Sequence, residues 1–425
     1  MRIRAVMAAI VMASVGAAAF ADVQVRAVRI KIDGLSYEWK DRGTMPAREE
    51  GGYTAPATVA SFLGFAPGDA MAEPALEYAA RAAEARLREC GWFYTASVMV
   101  LPGRSDPAAR TVVVSVAEGF TWRFGGGSLF AMVGRDNAGG LGRSWLAIAG
   151  YNLDGLRYGD RLFLGQPLDL DLSAAYSNAL GTDSVDYHRV QGDVSLGWRL
   201  RPDLSLGVES SLRWQSQTPT AAWAAGYPAG NAVDVRALAV VEGRSGLYTA
   251  PFDLRASIRA EGGVIAGLSA DASPTAVASG AATVVASWPF LEMGAQVSVG
   301  WASAPLGYGW RYDLLTVADA AVRGPLAYAD ALRDRYVMAN LELRGPYARF
   351  FLPPIFNVAV GPFLFADLAW AESVDGSGSV DMLEGYGGGI RLGFEAPVFV
   401  WFSFTYGWNR DGEGAFRIAA SKGFQ

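Results

Sequence analysis

The chain has 425 residues, enough for one small domain and one large one. Hydrophobic residues make up 51% and aromatics 12%, yet 18% are charged, a mixture that excludes a bundle of long uncharged helices and suits apolar surface hidden in alternation. A net charge of -6 without a basic stretch excludes nucleic acid as a partner, and the single Cys90 and single His188 exclude an internal disulfide, a thiolate metal cluster and most nucleophile–histidine catalysis.

Arg2 and Arg4 precede an apolar run from Val6 to Val15, and Ala19-Phe20-Ala21 puts small residues at both recognition positions before Asp22. Residues 1–21 are therefore expected to be a secretory signal peptide, with the mature chain beginning at Asp22. The apolar run is too short to span a bilayer. No later run of about 20 uncharged apolar residues follows it, so any spanning falls to strands.

Residues 25–32 (VRAVRIKI) alternate β-branched and basic side chains, as a half-buried strand does. The polar stretch from Ser36 to Gly52 is expected to be a loop. Ala57 to Leu63 suits a short helix, stopped by Gly64 and the turn Pro67-Gly68-Asp69. Glu73 to Glu89 is the clearest helix: Pro74 lies in its first turn, Leu76, Ala80, Ala83 and Leu87 share one face, and Gly91 ends it. Cys90, at the end of that helix, reads as a small buried hydrophobe rather than a reactive thiol. Trp92 to Leu101 and Thr111 to Val116 read as two strands, so the order is strand, helix, helix, strand, strand.

Three segments here resemble a POTRA domain: Gly68-Asp69, Leu87 through Cys90-Gly91-Trp92-Phe93, and VSVAEG at 114–119. In that family a helix ends in an "L..GyF..v.v" stretch and the last strand ends in "V.EG" at a barrel entrance. Trp92 stands where tyrosine is commoner, and residues 36–52 resemble an insertion. The resemblance implies a periplasmic domain over 22–119.

From residue 120 onward period-two alternation dominates, in segments of about 10 residues, the length of a tilted transmembrane strand. Val190, Val194, Leu196, Trp198 and Leu200 share one face and Gln191, Asp193, Ser195, Gly197 and Arg199 the other. After Arg201-Pro202-Asp203, Leu204, Leu206, Val208, Leu212 and Trp214 oppose Ser205, Gly207, Glu209, Ser211, Arg213 and Gln215. Between 252 and 261 the apolar positions oppose Asp253, Arg255, Arg259 and Glu261, groups that hydrate and salt-bridge a lumen wall. An open sheet in lipid would leave unpaired backbone groups at its edges, so the sheet must close. The expected class is mainly β: a transmembrane antiparallel β-barrel over 120–425, preceded by a small α+β domain. Fourteen strands are legible, near 121–134, 143–152, 160–178, 186–200, 204–217, 232–243, 251–264, 275–288, 291–303, 334–347, 355–371, 383–395, 398–409 and 414–424. Splitting 160–178 at Gly165-Gln166-Pro167 and adding a strand at 311–321 makes sixteen, and the sequence leaves both counts open.

Further motifs resemble the BamA/TamA superfamily of outer-membrane assembly and secretion factors, whose barrels follow a sixteen-strand pattern. Ala321-Val322-Arg323-Gly324-Pro325 resembles its VRGF/Y loop, and Phe365-Ala366-Asp367-Leu368-Ala369 its F-x-D-x-G strand. Gly387 to Leu392 resembles its GxGxRL strand, and Asn152-Leu153-Asp154-Gly155 an NLxG turn after the second strand. The resemblance implies that Arg323, flanked by Val322 and Gly324, folds into the lumen and pairs with Asp367. Alternation addresses this separately: with Phe356, Val358, Val360, Leu364, Leu368 and Trp370 outward, Phe365 and Asp367 point inward. By the same parity Glu342, Arg344 and Arg391 point inward, so an entering Arg323 meets Asp367 and Glu342, and an always-charged, bidentate arginine suits such a site. Pro325 replaces the family's aromatic, Ala369 its glycine, the chain ends Gly423-Phe424-Gln425, and there is room for a single POTRA domain.

The resemblance implies an assembly or translocation factor of the outer membrane, its first domain in the periplasm. Its partners would be the lipid bilayer, unfolded outer-membrane or secreted client proteins, and periplasmic accessory proteins. The seam between the first and last strands would be weak, with Gly125, Gly126 and Gly127 lowering strand stability, although the same glycines also relieve crowding at a bend. The alternative is a passive pore or structural barrel without insertase activity. No enzyme, catalytic residue, cofactor or metal is expected: His188 reads as an exposed loop residue, and Gly139-Gly140 and the glycines at 385–388 lack the strand-to-helix context of phosphate loops.

Overall fold

The computed structural model describes residues 22–421 apart from 50–52, 104–105, 120, 127–129, 151–152, 181–184, 220–229, 250–251, 268–273, 305–311, 314–321, 324–331, 353–355, 373–378 and 397–399. The proposed signal peptide at 1–21 and the terminal Phe424 lie outside the described residues. The chain divides into two compact units, the first ending at Glu118 and the second beginning at Gly119.

The first unit is built from β1 (Asp22–Ile32), β2 (Leu35–Trp39), α1 (Pro56–Ala60), β3 (Ala70–Ala72), α2 (Glu73–Glu89), β4 (Phe93–Pro102) and β5 (Ala109–Glu118). Its sheet runs β2-β1-β5-β4, with β3 also on β1; β1 and β5 are parallel and the other pairs antiparallel. Leu76, Ala80, Ala83 and Leu87 of α2 are buried against Val25, Val28, Ile30, Val112 and Val114 of the sheet. Gly91 ends the helix at φ +72°, a conformation that costs glycine least. Trp92 and Phe93 enter the same core, the Trp92 ring edge-on to Phe62 at 5.4 Å. Cys90 packs partly buried against this core.

One expectation fails here: Ser36 to Gly52 is not all loop. Asp33 and Gly34, at φ +46° and +89°, form a two-residue hairpin turn, the type whose twist matches paired strands. The turn folds β2 back on β1 and buries Tyr37 and Trp39.

The second unit is a single antiparallel sheet. Its strands are β6 (Trp122–Gly126), β7 (Phe130–Ala138), β8 (Arg143–Gly150), β9 (Leu153–Asp160), β10 (Leu168–Leu180), β11 (Val185–Arg201), β12 (Leu204–Pro219), β13 (Gly230–Thr249), β14 (Phe252–Gly267), β15 (Thr275–Trp288) and β16 (Leu291–Ala302). After the two-residue pair β17 (Tyr312–Asp313) and β18 (Leu332–Arg333) come β19 (Tyr336–Arg344), β20 (Ala348–Leu352), β21 (Phe356–Glu372), β22 (Val380–Ala396), β23 (Val400–Trp408) and β24 (Gly414–Ser421). Neighbours in sequence are neighbours in the sheet, and the order returns on itself with β24 beside β6.

β19 pairs with the far half of β21 and β20 with its near half, so the two are one stave interrupted at Gly345-Pro346-Tyr347. Counted that way, the described residues form sixteen staves. Splitting 160–178 at Gly165-Gln166-Pro167 is not the source of the extra pair: 161–165 is a turn and a 3-10 helix, and the first extra stave is β9 at Leu153–Asp160, between the expected strands 143–152 and 160–178. The second is not at 311–321, where only Tyr312–Asp313 is described as strand, but comes from the division of 121–134 into β6 and β7. Leu153 to Gly155 open β9 rather than forming a turn, and Asn152 lies outside the described residues.

Alternation along the staves sorts the side chains into two environments. Val190, Val194, Trp198, Val208, Leu212, Ile258 and Leu341 are exposed on the outer surface, although each is large and apolar. Only hydrocarbon makes such a surface favourable, so the barrel is a membrane-spanning one. Trp198 and Trp288 lie toward the end where the chain enters, and Trp214, Trp301, Trp370 and Trp408 toward the far end, as interfacial aromatic girdles do. At the start of β21 the pattern departs from expectation: Val358 and Ala359 are both buried beside a bulge at Asn357. Among the described residues no helix is long and apolar enough to cross a membrane, which leaves crossing to the strands.

The lipid face sets a penalty for charge. Val208→Arg is expected to destabilise the barrel by about 2–4 kcal/mol in a bilayer, read from the urea midpoint of unfolding from vesicles, whereas the lumen-side Ser257→Arg shifts that midpoint far less.

Candidate functional site: an arginine clamp in the barrel lumen

β19 alternates without a break. Tyr336, Met338, Asn340, Glu342 and Arg344 are buried, while Val337, Leu341 and Leu343 face out. β21 pairs with it so that Asn340 lies opposite Asp367 and Glu342 opposite Phe365. Two carboxylates are thereby held on one patch of the inner wall, with Asp367 3% and Glu342 2% exposed. Isolated buried carboxylates would be costly; here each is saturated by donors.

The donors come from a distant part of the chain. The connection between β16 and β19 brings Val322 and Arg323 into the lumen. The Arg323 backbone N–H and Nε both donate to Asp367 Oδ2 at 2.9 Å, and Nη2 donates to Oδ1 at 2.8 Å. Nη1 reaches Glu342, and the guanidinium carbon lies 4.2 Å from the centroid of the Phe365 ring. Asn340 Nδ2 adds a 2.8 Å bond to Asp367. Glu342 is the hub: its other oxygen accepts from Arg344 Nε at 2.6 Å and Arg391 Nη2 at 2.9 Å. Arg344 also pairs with Glu292 of β16, and Arg391 lies 5.3 Å over the Phe363 ring. Three arginines thus meet three carboxylates, and Glu292 extends the layer to a fourth arginine, Arg255.

Val322 secures the loop apolarly. It is 1% exposed and clusters with Tyr336, Met338, Ala369 and Ala371. Its carbonyl accepts from Arg417 Nη1 of β24 at 3.2 Å, so the same two-residue segment touches the wall at β19 and β21 and the last strand of the barrel. Gly324 lies outside the described residues.

The site includes residues that sequence reasoning did not single out. Glu292 and Asn340 complete the layer, and Arg417 ties it to β24. Two glycines provide its floor. Gly387 lies opposite Phe365 on one side and Gly407 on the other. A Cβ on Gly407 would collide with the Arg323 carbonyl, and one on Gly387 would come within 3.0 Å of the Phe365 ring. Asn340 shares the parity of Glu342 and was legible on that ground. Glu292 and Gly407 were not, because their relevance depends on which strands are neighbours.

Of the remaining sites named from sequence, Leu87, Trp92 and Phe93 lie together in the core of the first unit, and the half-buried Gly91 turns the chain between them at φ +72°. His188 is not in a loop but in β11, its Nδ1 2.8 Å from the Tyr176 hydroxyl and the two rings stacked. Arg259 pairs with Glu209, Glu242 and Glu261, and Arg255 with Glu292, on the lumen wall. Among the described residues no group of three or more His, Cys, Asp or Glu side chains is arranged to hold a metal ion.

Removing one member of a buried pair leaves its partner uncompensated, at about 3–5 kcal/mol. Asp367→Ala is therefore expected to release the loop. Trypsin must insert an arginine side chain to cut after it, so cleavage after Arg323 should be slow in the wild-type barrel and rapid in Asp367→Ala, with the products identified by mass spectrometry.

No protein-family model and no curated protein matches the sequence. Solved structures do match. The chain is similar to CdiB from Acinetobacter baumannii at 13% identity and TM-score 0.53, covering 94% of this chain and 74% of that one. It is similar to CdiB from Escherichia coli at 12% identity and TM-score 0.50, covering 94% and 75%. BamA from Haemophilus ducreyi lacking POTRA domains 1–3 matches at 13% identity and TM-score 0.45, covering 94% and 84%. At this identity the likeness speaks to architecture alone, and the chain accordingly shares the fold of CdiB, a large antiparallel β-barrel with a small domain ahead of it.

Proposed function

We propose that this chain is an outer-membrane assembly or translocation factor, with its POTRA-like first domain in the periplasm and its barrel handling client proteins at the seam between β24 and β6. The observation that carries this reading is the Arg323 clamp. The loop enters the lumen, saturates two buried carboxylates on β19 and β21, and bonds to the last strand through Arg417, which ties the lumen to the strand at the seam.

A client strand adding to an edge freed between β6 and β24 would replace the ladder hydrogen bonds of the seam by β-augmentation, and Gly125 and Gly126 of β6 weaken that edge because glycine lowers strand stability. In the first unit β4 is a sheet edge with Tyr94, Met99 and Leu101 exposed, which suits the same mode of capture. Arg417 links the clamp to the seam strand, so release of the loop and loosening of β24 would be coupled.

Reconstitution into lipid vesicles tests the proposal by following insertion of an unfolded model barrel protein. Acceleration is expected with the wild-type chain and is expected to fall by about tenfold or more in Arg323→Ala, the change in rate for about 1.4 kcal/mol. Arg417→Ala should give a smaller loss with the ionic layer intact. Steady ion conductance without acceleration, from a barrel that is folded, would point to a pore.

A further inference from the structure

The stave made of β19 and β20 runs past its neighbour, at the rim where the chain enters the barrel. β16 and β19 stay paired down to Glu292 and Arg344, and β16 itself begins at Leu291, after the tight turn at Pro289-Phe290. β20 starts beyond that level, at Ala348, and its five residues extend about 17 Å. It pairs with β21 on one side, from Ala348 opposite Val360 to Leu352 opposite Phe356. On its other side no strand is described. The rim therefore has a strand edge of its own, with β21 to β24 between it and the seam.

The interruption that leads to this edge is well packed. The Gly345 N–H donates to the Pro362 carbonyl at 2.9 Å, which carries the pairing with β21 across the gap. A Cβ on Gly361 would collide with the Tyr347 ring, so that ring lies against bare backbone. The turn at Pro289-Phe290 marks where backbone groups must reach water, and thus the limit of the hydrocarbon. β20 lies past that limit, where an open edge is tolerated.

Soluble edges are usually blunted by charge, proline or a bulge. β20 reads ARFFL, with one charge and no proline, and Phe350 and Phe351 are 45% and 58% exposed. Phe350 lies opposite Val358 and continues the lipid-facing side of β21, on which Leu364 and Trp370 are exposed. Phe351, opposite Asn357, lies on the lumen side. Every second residue of an edge strand turns its N–H and C=O away from its partner, so β20 offers a ladder with an aromatic ring on each face. Lipid can cover Phe350 but cannot bond the backbone edge, and water can bond the edge but does not cover the rings. An extended polypeptide does both.

We propose that β20 is a strand-capture site on this rim, and that it takes an extended client segment in which apolar and polar residues alternate, as in an outer-membrane strand. One row of such a segment would lie beside Phe350 toward lipid, and the other beside Phe351 toward the wet mouth of the lumen. The proposal rests on the reading of this chain as a client-handling factor, but it names an edge separate from the seam between β24 and β6.

Photo-cross-linking of the full-length barrel in detergent tests this with a synthetic peptide of residues 204–217, in which a benzophenone side chain replaces Val208. That peptide is a barrel strand of balanced charge, its Leu206 and Leu212 alternating with Glu209 and Arg213. Cross-links to residues 348–352 are expected, located by mass spectrometry. The same peptide with its central amides N-methylated keeps its side chains but cannot extend a ladder, and should give none. Phe351→Lys puts a charge on the edge and is expected to weaken peptide binding about tenfold, and Phe351→Ala about threefold, from loss of a cross-strand aromatic contact. Leu164→Lys, in an exposed turn on the same rim, controls for charge and should bind as the wild type does. Folding of each variant is checked by heat-modifiable gel mobility. Cross-links absent or confined to β6 and β24, or equal binding by wild type and Phe351→Lys, overturn the proposal and leave capture at the seam standing. A barrel that dimerises through β20 without binding peptide overturns it too, and gives the edge to a second copy. Cross-links at β20 without acceleration of client insertion would support the capture site and remove support from the assembly role.

Discussion

A peptide group inside a bilayer has no water to turn to, and the barrel is arranged around that constraint. Every stave between β6 and β24 pairs with a neighbour on each side in the ring order, because an open edge would leave a row of unpaired N–H and C=O groups in hydrocarbon. Closure then separates two environments that a single sheet could not provide. The outer face can carry Trp198, Val208 and Leu212 exposed, and the inner face can hold charges such as Glu342 and Asp367 away from bulk water.

Once carboxylates are secluded, they require partners, and that requirement explains the shape of the site. Glu342 is shared by Arg323, Arg344 and Arg391, and Asp367 accepts from Arg323 and Asn340. A buried ion pair is weak evidence for net stability, since apolar replacement of the whole network is often neutral. The network is better understood as specifying one position for the loop: Arg323 is bidentate to Asp367 and stacked on Phe365, and a one-residue slip would lose all of these contacts. The apolar seat of Val322 and the bare backbone of Gly387 and Gly407 serve the same end by fixing depth. Such a device holds firmly while intact and releases cooperatively when one member leaves.

The loop also makes the wall a connected object. Val322 is bonded to Arg417 on β24, and Arg323 to β21 and β19, so five staves from β19 to β24 share one tie. The first staves lie on the other side of the seam and have no comparable lumen tie among the described residues.

Alternation alone carried much of this. It is a property of one strand, with period two along the chain, so it placed Phe365, Asp367, Glu342, Arg344 and Arg391 on the inner face before any strand had a neighbour. The helix at Glu73–Glu89 was legible in the same way, from local periodicity and its terminal glycine. The VRG and F-x-D-x-G segments supplied the pairing of Arg323 with Asp367 by resemblance. What local pattern could not decide was anything that depends on register between strands far apart in sequence. The Asp33-Gly34 hairpin was hidden in a polar stretch, and β19 and β20 look like two strands until β21 shows them to be one stave. Glu292 and Gly407 entered the site only because β16 and β23 were placed beside the right neighbours. The side on which a residue faces is settled by its own strand, but what it meets there is settled by closure of the whole sheet.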